Sequence, residues 1–345
     1  MSKMTRIHQV AVSIWVAGIF CHTHVSGQTS SPPVVAPVAL DRPAVVLRGH
    51  RSGVTAVEFS HDGGWLASSS LDGTVRLWST RTWKVARTLN HGSEIYAIAF
   101  SPDGRLLVSG GYDRRLVFWE TKSGRLRRAV KVPDWPVGIT FTPAGQLAAG
   151  CNDGRVRMLD PGTGVIRREI DTEHEMQSLA VSSDGRYLAT GFPIKLWDLT
   201  SGRLLSKVIR GWGDHGLAFT PGGDRLVSAE GTGGALIWSV PIGEPLGALR
   251  IEAQKQMLGP SGYGSVSVNM PATAVAFSRN GTWLATGGSD SAIQLWQVTS
   301  EAIAKTPAQV LVGHVMSVTG VSFSPDGRRL VSGSLDRTVR IWEFR

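Results

Sequence analysis

Along most of the chain, apolar and polar residues alternate in short runs separated by turn residues, the signature of half-buried strands joined by tight turns. The last copy of the pattern is the clearest. After Gly313-His314, a strand carries Val318, Gly320, Val321 and Phe323, and Ser324-Pro325-Asp326-Gly327 reverses it. Arg329–Ser334 runs back, Leu335-Asp336-Arg337 turns again, and a third strand ends on Trp342. Such an antiparallel meander has two apolar faces and cannot bury them alone.

Copies of it fill the chain. Phe59, Phe100, Phe141, Val181, Phe219, Phe277 and Phe323 mark the end of the first strand in successive units. Trp78, Trp119, Leu159, Trp197, Trp238, Trp296 and Trp342 mark the end of the third. The two markers lie 19 residues apart in five of seven units, 18 in the third and 16 in the fourth. From one unit's closing marker to the next first-strand marker is 22 residues in four of six cases. A period of about 40 residues with four strands per unit implies a β-propeller.

The units carry motifs that resemble the WD40-repeat family. Gly-His appears as Gly49-His50 and Gly313-His314, with Asn90-His91 in the second unit, and the terminal Trp-Asp survives at Trp197-Asp198. Elsewhere the dipeptide reads Trp-Ser, Trp-Glu or Trp-Gln, and Leu159-Asp160 keeps only the Asp. The resemblance spans residues 43–345, with units near 43–83, 84–124, 125–164, 165–202, 203–243, 244–301 and 302–345. It implies an all-β, seven-bladed, monomeric propeller that binds a protein or peptide without catalysis, metal or cofactor. Outer strands are expected at Trp83–Leu89, Arg125–Lys131, Val165–Ile170, Leu204–Ile209, Glu244–Arg250 and Gln309–Val312. The seventh unit has none of its own, whereas the apolar stretch Pro43–Arg48 has no blade. Its expected place is the outer edge of the last blade, closing the ring and removing a free edge.

Three units hold His, Ser, Asp and Trp at one spacing: His50-Ser68-Asp72-Trp78, His91-Ser109-Asp113-Trp119 and His314-Ser332-Asp336-Trp342. Ser, His and Asp invite a hydrolase reading, but the set recurs in separate blades and each time ends on an indole. The resemblance implies a buried hydrogen-bond chain fastening each blade. The sixth unit keeps Thr286, Asp290 and Trp296 without a His; the fifth keeps Ser228 and Trp238; the third has Ala149 at the Ser position. Blades three to five are therefore expected to form the softer arc. Asn280-Gly281-Thr282 matches a glycosylation sequon, yet Asn-Gly is also the tight-turn pair expected in a first hairpin.

Family face positions transferred by register put Glu94, Tyr96, Tyr112, Asp134, Trp135 and Asn152 on one sector, with Trp212 and His215 nearby. Aromatic anchors ringed by polar groups describe a binding hot spot. The competing enzyme reading, a hydrolase or lactonase at the central channel, has Glu94, Glu175, Asp214 and His215 as candidates. A third reading is an anion-binding rim of Arg125, Arg127, Arg128, Lys131, Arg155, Arg157, Arg167 and Arg168 on blades two and three. Nucleic acid is not expected, because no stacking aromatics interleave those charges. From Trp238 to Phe277 is 39 residues, an insertion of 17 over the usual spacing, centred on the Gly/Ser-rich 252–270.

Composition changes the picture mainly at the N-terminus. The first 27 residues have Lys3 and Arg6, an apolar run from Val10 to Cys21 and small residues at Val25-Ser26-Gly27, which read as a secretory signal peptide. The run is short for a membrane span, and Phe20 before Cys21 argues against a lipid anchor. Residues 28–42 are Pro- and Ser-rich and read as an extended linker. The 345-residue chain carries +9; without residues 1–27 it carries 34 − 27 = +7 and one cysteine, Cys151. The mature protein is thus expected in the periplasm or secreted, with a cytoplasmic protein as the alternative should residues 1–27 not be a signal.

Overall fold

The computed structural model describes residues 38–40, 43–191, 193–208, 216–229, 235–249, 274–299 and 302–344. They form seven sheets, each one blade, antiparallel but for one edge strand of blade six. The innermost strands, Val54–Phe59, Ile95–Phe100, Pro136–Phe141, Leu179–Val181, Gly216–Phe219, Ala274–Phe277 and Val318–Phe323, each contact the next. The last contacts the first, so the blades form a closed ring. The all-β, seven-bladed architecture expected from the marker spacing is the one observed.

Burial follows from the alternation. In blade one, Leu66 and Ala67 of the second strand and Val75, Leu77 and Trp78 of the third are almost wholly buried. Outer strands such as Val85–Asn90 and Leu126–Lys131 are mostly exposed. Each blade is a thin sheet whose core is completed by its neighbour, as where Ala97, Val108 and Phe118 of blade two pack with Ile139 and Leu147 of blade three.

Val45–Leu47 pairs antiparallel with Val339–Glu343, Val45 facing Ile341, and Leu47 is 4 % exposed. The outer position of blade seven is thus filled by chain from the N-terminal side. Within the stretch read as linker, Val38–Leu40 pairs in parallel with Gln309–Leu311 and makes blade six five-stranded. No part of the repeat pattern predicts that strand.

Polar groups also cross between blades. On the channel side, the Phe59 N–H donates to Ser322 Oγ (3.3 Å) and the Phe100 N–H donates to Glu58 Oε2 (3.1 Å). Burial pushes the Glu58 carboxyl up to about 8, against the opposing effect of the Phe100 N–H.

On the outer rim, arginines at one register position of successive outer strands reach the next blade. Arg87 Nε donates to the Ser123 carbonyl (3.3 Å), Arg128 to the Gly162 carbonyl, and Arg168 Nη1 to the carbonyls of Leu199 (3.0 Å) and Thr200 (2.8 Å). Against each arginine side chain lies a turn glycine at positive φ (Gly124, Gly164 and Gly202). A Cβ on Gly202 would collide with Arg168.

Candidate functional site

The three complete tetrads are hydrogen-bond chains. In blade one, Trp78 Nε1 donates to Ser68 Oγ (2.9 Å), which lies 2.8 Å from His50 Nε2, while His50 Nδ1 lies 3.0 Å from Asp72 Oδ2. Blade seven repeats this through Trp342, Ser332, His314 and Asp336, and blade two through Trp119, Ser109, His91 and Asp113 with the imidazole reversed. One proton arrangement satisfies every member: indole to hydroxyl, hydroxyl to a neutral imidazole, imidazole N–H to carboxylate. Burial lowers the pKa of His91 and His314, favouring the neutral ring. Against burial, hydrogen bonds from His314 and Thr338 hold the Asp336 carboxyl well below its usual range. Ser68, Ser109 and Ser332 are 0 % exposed. Their hydroxyls fasten the sheet and cannot meet a substrate.

The blades without a histidine are fastened differently, which the sequence reading missed. Arg157, Lys195 and Gln294 each stand two residues before the closing marker, and each turns inward. The Arg157 side chain is 1 % exposed and forks onto Asp153 (2.6 and 3.0 Å) with Nε on Glu169 (2.9 Å). Lys195 Nζ donates to Glu173 (2.9 Å) and to the Thr172 carbonyl, and Gln294 Nε2 to Asp290 (3.1 Å). At the histidine's register, blade three has buried Val132 and blade four buried Thr172, leaving room for the long side chain. Blades three and four thus have fasteners in place of the histidine chain, and in blade five Ser228 still accepts from Trp238 (3.0 Å). The signal was present in the sequence: Asp153 and Asp290 persist without a histidine, each four residues before Arg157 or Gln294.

The basic cluster does not form a free anion-binding rim. Arg157 is interior, Arg127 pairs with Glu120 and Arg167 with Asp160, both at 3.2 Å. Arg155 contacts Glu169 and Asp171, and Arg128 and Arg168 hold the neighbouring blades.

The aromatic sector is assembled where the sequence placed it, at one end of blades two and three. Glu94 and Tyr96 stand at the start of blade two's innermost strand, and Tyr112 lies in the turn after its second. The Tyr112 N–H donates to the Glu94 carbonyl (2.8 Å), and the Asn152 N–H to the Trp135 carbonyl (3.0 Å). Blades two and three approach closely here because residue 110 is glycine: a Cβ on Gly110 would stand 2.7 Å from Ile139 Cδ1 and 2.8 Å from Pro136 Cβ. That approach sets Trp135 beside Tyr112, ring centroids 5.0 Å apart at 37°, and Tyr96 meets Tyr112 edge-on at 6.3 Å. Tyr112 is 53 % exposed, while Tyr96 and Trp135 are half-buried.

Carboxylates border the rings. Tyr96 Oη donates to Glu94 Oε2 (2.9 Å), Asn152 Nδ2 donates to Asp134 Oδ2 (3.3 Å), and Arg114 Nε is 3.7 Å from Asp134 Oδ1. Burial first, then the Glu94 carboxylate, pushes the Tyr96 hydroxyl above its ordinary pKa and keeps it a donor. Trp212, Asp214, His215 and residues 252–270 lie outside the described residues. Glu175 is exposed on the loop entering blade four. Among the described residues, no group of three or more His, Cys, Asp or Glu could hold a metal ion, and no helix is long and apolar enough to cross a membrane.

A closed ring of seven blades, three of them fastened by indole, hydroxyl, imidazole and carboxylate, defines a WD40-repeat propeller. The family model "WD domain, G-beta repeat" matches residues 41–79, 83–120, 264–297 and 305–343, so the chain carries WD40 repeats in those four stretches. The matched stretches fall on blades one, two, six and seven; blades three to five lie between them. Two curated proteins are similar over a short stretch. One is the "Target of rapamycin complex subunit wat1" of Schizosaccharomyces pombe, 47 % identical over 49 residues, 14 % of this chain and 16 % of that protein. The other is the "Target of rapamycin complex subunit LST8" of Saccharomyces cerevisiae, 39 % identical over 49 residues with the same coverage. The chain thus spans about one sixth of each relative in these matches.

Proposed function

We propose that this propeller is a non-catalytic scaffold that binds a protein or peptide through the aromatic sector of blades two and three. The observation that supports it is the cluster of Tyr96, Tyr112 and Trp135, which presents ring surface to solvent within a border of Glu94, Asp134 and Asn152. Rigid aromatic side chains lose little conformational entropy on contact and bury large areas, which is why they anchor interfaces. Both similar proteins are named as subunits of a complex, in keeping with a binding role. The test is affinity capture from cell-envelope and soluble fractions with the full chain and with a Tyr96→Ala/Tyr112→Ala/Trp135→Ala variant. A protein retained by the first and lost by the folded second supports the reading; equal retention refutes it.

Residues 1–27 support an exported location, periplasmic or secreted. Fractionation of the chain carrying a C-terminal tag tests this: a shortened product outside the cytoplasm is expected. Full-length protein in the cytosol would establish the cytoplasmic alternative.

A further inference from the structure

Resting on that reading, the charge distribution within the sector narrows the partner's chemistry. Its acidic groups are not equivalent. Asp113 is taken by Arg115 (2.6 Å) and His91 (3.2 Å). Asp134 is taken by Arg114 (3.7 Å) and Asn152 (3.3 Å). Glu94 is exposed, and among the described residues no cation pairs with it. Its side-chain partner among the described residues is the Tyr96 hydroxyl, a neutral donor that fixes one carboxylate oxygen and leaves the charge uncompensated. Counting Glu94, Asp113 and Asp134 against Arg114 and Arg115, the sector has a local charge of −1, on a chain whose total is +9.

That uncompensated carboxylate is held by the hydroxyl of Tyr96, whose ring meets the exposed ring of Tyr112, with Trp135 tilted against the latter. We infer that the sector receives an arginine side chain of the partner peptide, its guanidinium lying over Tyr112 and Trp135 and donating to Glu94. Aromatic faces attract cations through their negative quadrupole. Of the two side chains that are fully cationic at neutral pH, only arginine is planar, so its guanidinium lies flat on a ring while its in-plane N–H groups meet a carboxylate. An ammonium satisfies one partner or the other less well. The 37° tilt and 5.0 Å separation of Tyr112 and Trp135 leave no slot for a plate inserted between them, so the cation rests on their outer surface. The overall positive charge does not oppose this at close range, because exposed charges beyond about 10 Å are screened at 0.1 M salt.

The probes are Ac-Gly-Gly-Arg-Gly-Gly-NH2, its citrulline counterpart, which keeps the shape without the charge, and its lysine counterpart. Each is titrated into the whole chain while the Trp135 indole N–H is followed by NMR. The expected result is a saturable shift with the arginine peptide, at least about tenfold tighter than with citrulline or lysine. Glu94→Gln should keep the bond from Tyr96 and reduce arginine binding to the citrulline level. Glu175→Gln, on the loop entering the next blade, should leave it unchanged. Equal binding of arginine and citrulline, equal binding of lysine, no shift with any probe, or an unaffected Glu94→Gln variant each overturns the inference. The scaffold reading fails separately, by retention of the partner in the triple-alanine capture. A partner lost with the triple variant yet held fully by Glu94→Gln would refute the arginine and leave the surface.

Discussion

Arg157→Met tests whether an ion pair really replaces the missing histidine of blade three. Methionine fills a similar volume without charge, so it removes two hydrogen bonds to Asp153 and one to Glu169 from a side chain that is 1 % exposed. Breaking a buried pair by deleting one partner costs about 3–5 kcal/mol when the other is left buried and charged. Here Asp153 is 26 % and Glu169 36 % exposed, so both regain some water, and about 2–3 kcal/mol is expected. Arg155 supplies the internal control. It stands two residues earlier on the same strand and contacts the same Glu169 at 3.2 Å, but is 46 % exposed. Arg155→Met should cost less than about 1 kcal/mol, as exposed pairs do. Urea unfolding gives both values, and hydrogen exchange at Ile170 and Thr172 localises the effect. The triple change Arg157→Met, Asp153→Asn, Glu169→Gln should recover most of the loss, since no buried carboxylate is then left unpaired. Equal small costs for Arg157→Met and Arg155→Met, or a triple variant no better than the single, would refute the reasoning.

Other outcomes follow from the same geometry. Glu58 has its folded-state pKa raised from 4.5 to about 8, so its contribution is full below about 4.5 and is lost as pH rises through about 8. Glu58→Gln keeps an acceptor for the Phe100 N–H, and should stabilise the protein by about 1–2 kcal/mol at pH 9 and not at pH 4.5; identical melting curves at pH 9 would contradict this. Gly202→Ala places a Cβ at φ 70° against Arg168. It should cost at least about 1 kcal/mol more than Gly104→Ala, which has a similar φ of 67° and open space, and denaturant midpoints decide. Deleting Pro43–Arg48 removes the strand paired with Val339–Glu343 and the buried Leu47. It should lower the whole melting transition by at least about 3 kcal/mol of stability rather than fray one end, and an unchanged midpoint would sink that expectation.

The ring was legible because its markers are large and few. A Phe ends six of the seven first strands and a Trp closes six of the seven third strands, so their spacing counts the blades directly. Tyr96, Tyr112 and Trp135 could be gathered because the register of an antiparallel sheet fixes which turn residues share an end. The inward turn of Arg157, Lys195 and Gln294 was harder. Alternation gives the face of a residue, but whether a long polar side chain folds inward depends on what the preceding loop leaves vacant. Val132 in place of a histidine makes that room, and it is remote in sequence from Arg157. The ties made by Arg87, Arg128 and Arg168 were hidden for a related reason, since their acceptors are main-chain carbonyls of the next blade, to which a side-chain pattern is blind.

Those three guanidiniums divide the ring in a way that bears on how the chain can vary. The corresponding register positions in blades four and five hold Ser206 and Gly247, too short to reach across. A loop between two stitched blades must preserve the distance from arginine to carbonyl, so its length is under geometric tension. A loop in the other arc, where Ser206 and Gly247 cannot make that reach, can lengthen at the modest entropic cost of a longer closure. The 17 additional residues fall there, between Leu249 and Ala274. The aromatic sector belongs to the stitched arc, so novelty in length can accumulate on one side of the ring while the contact surface on the other keeps its register.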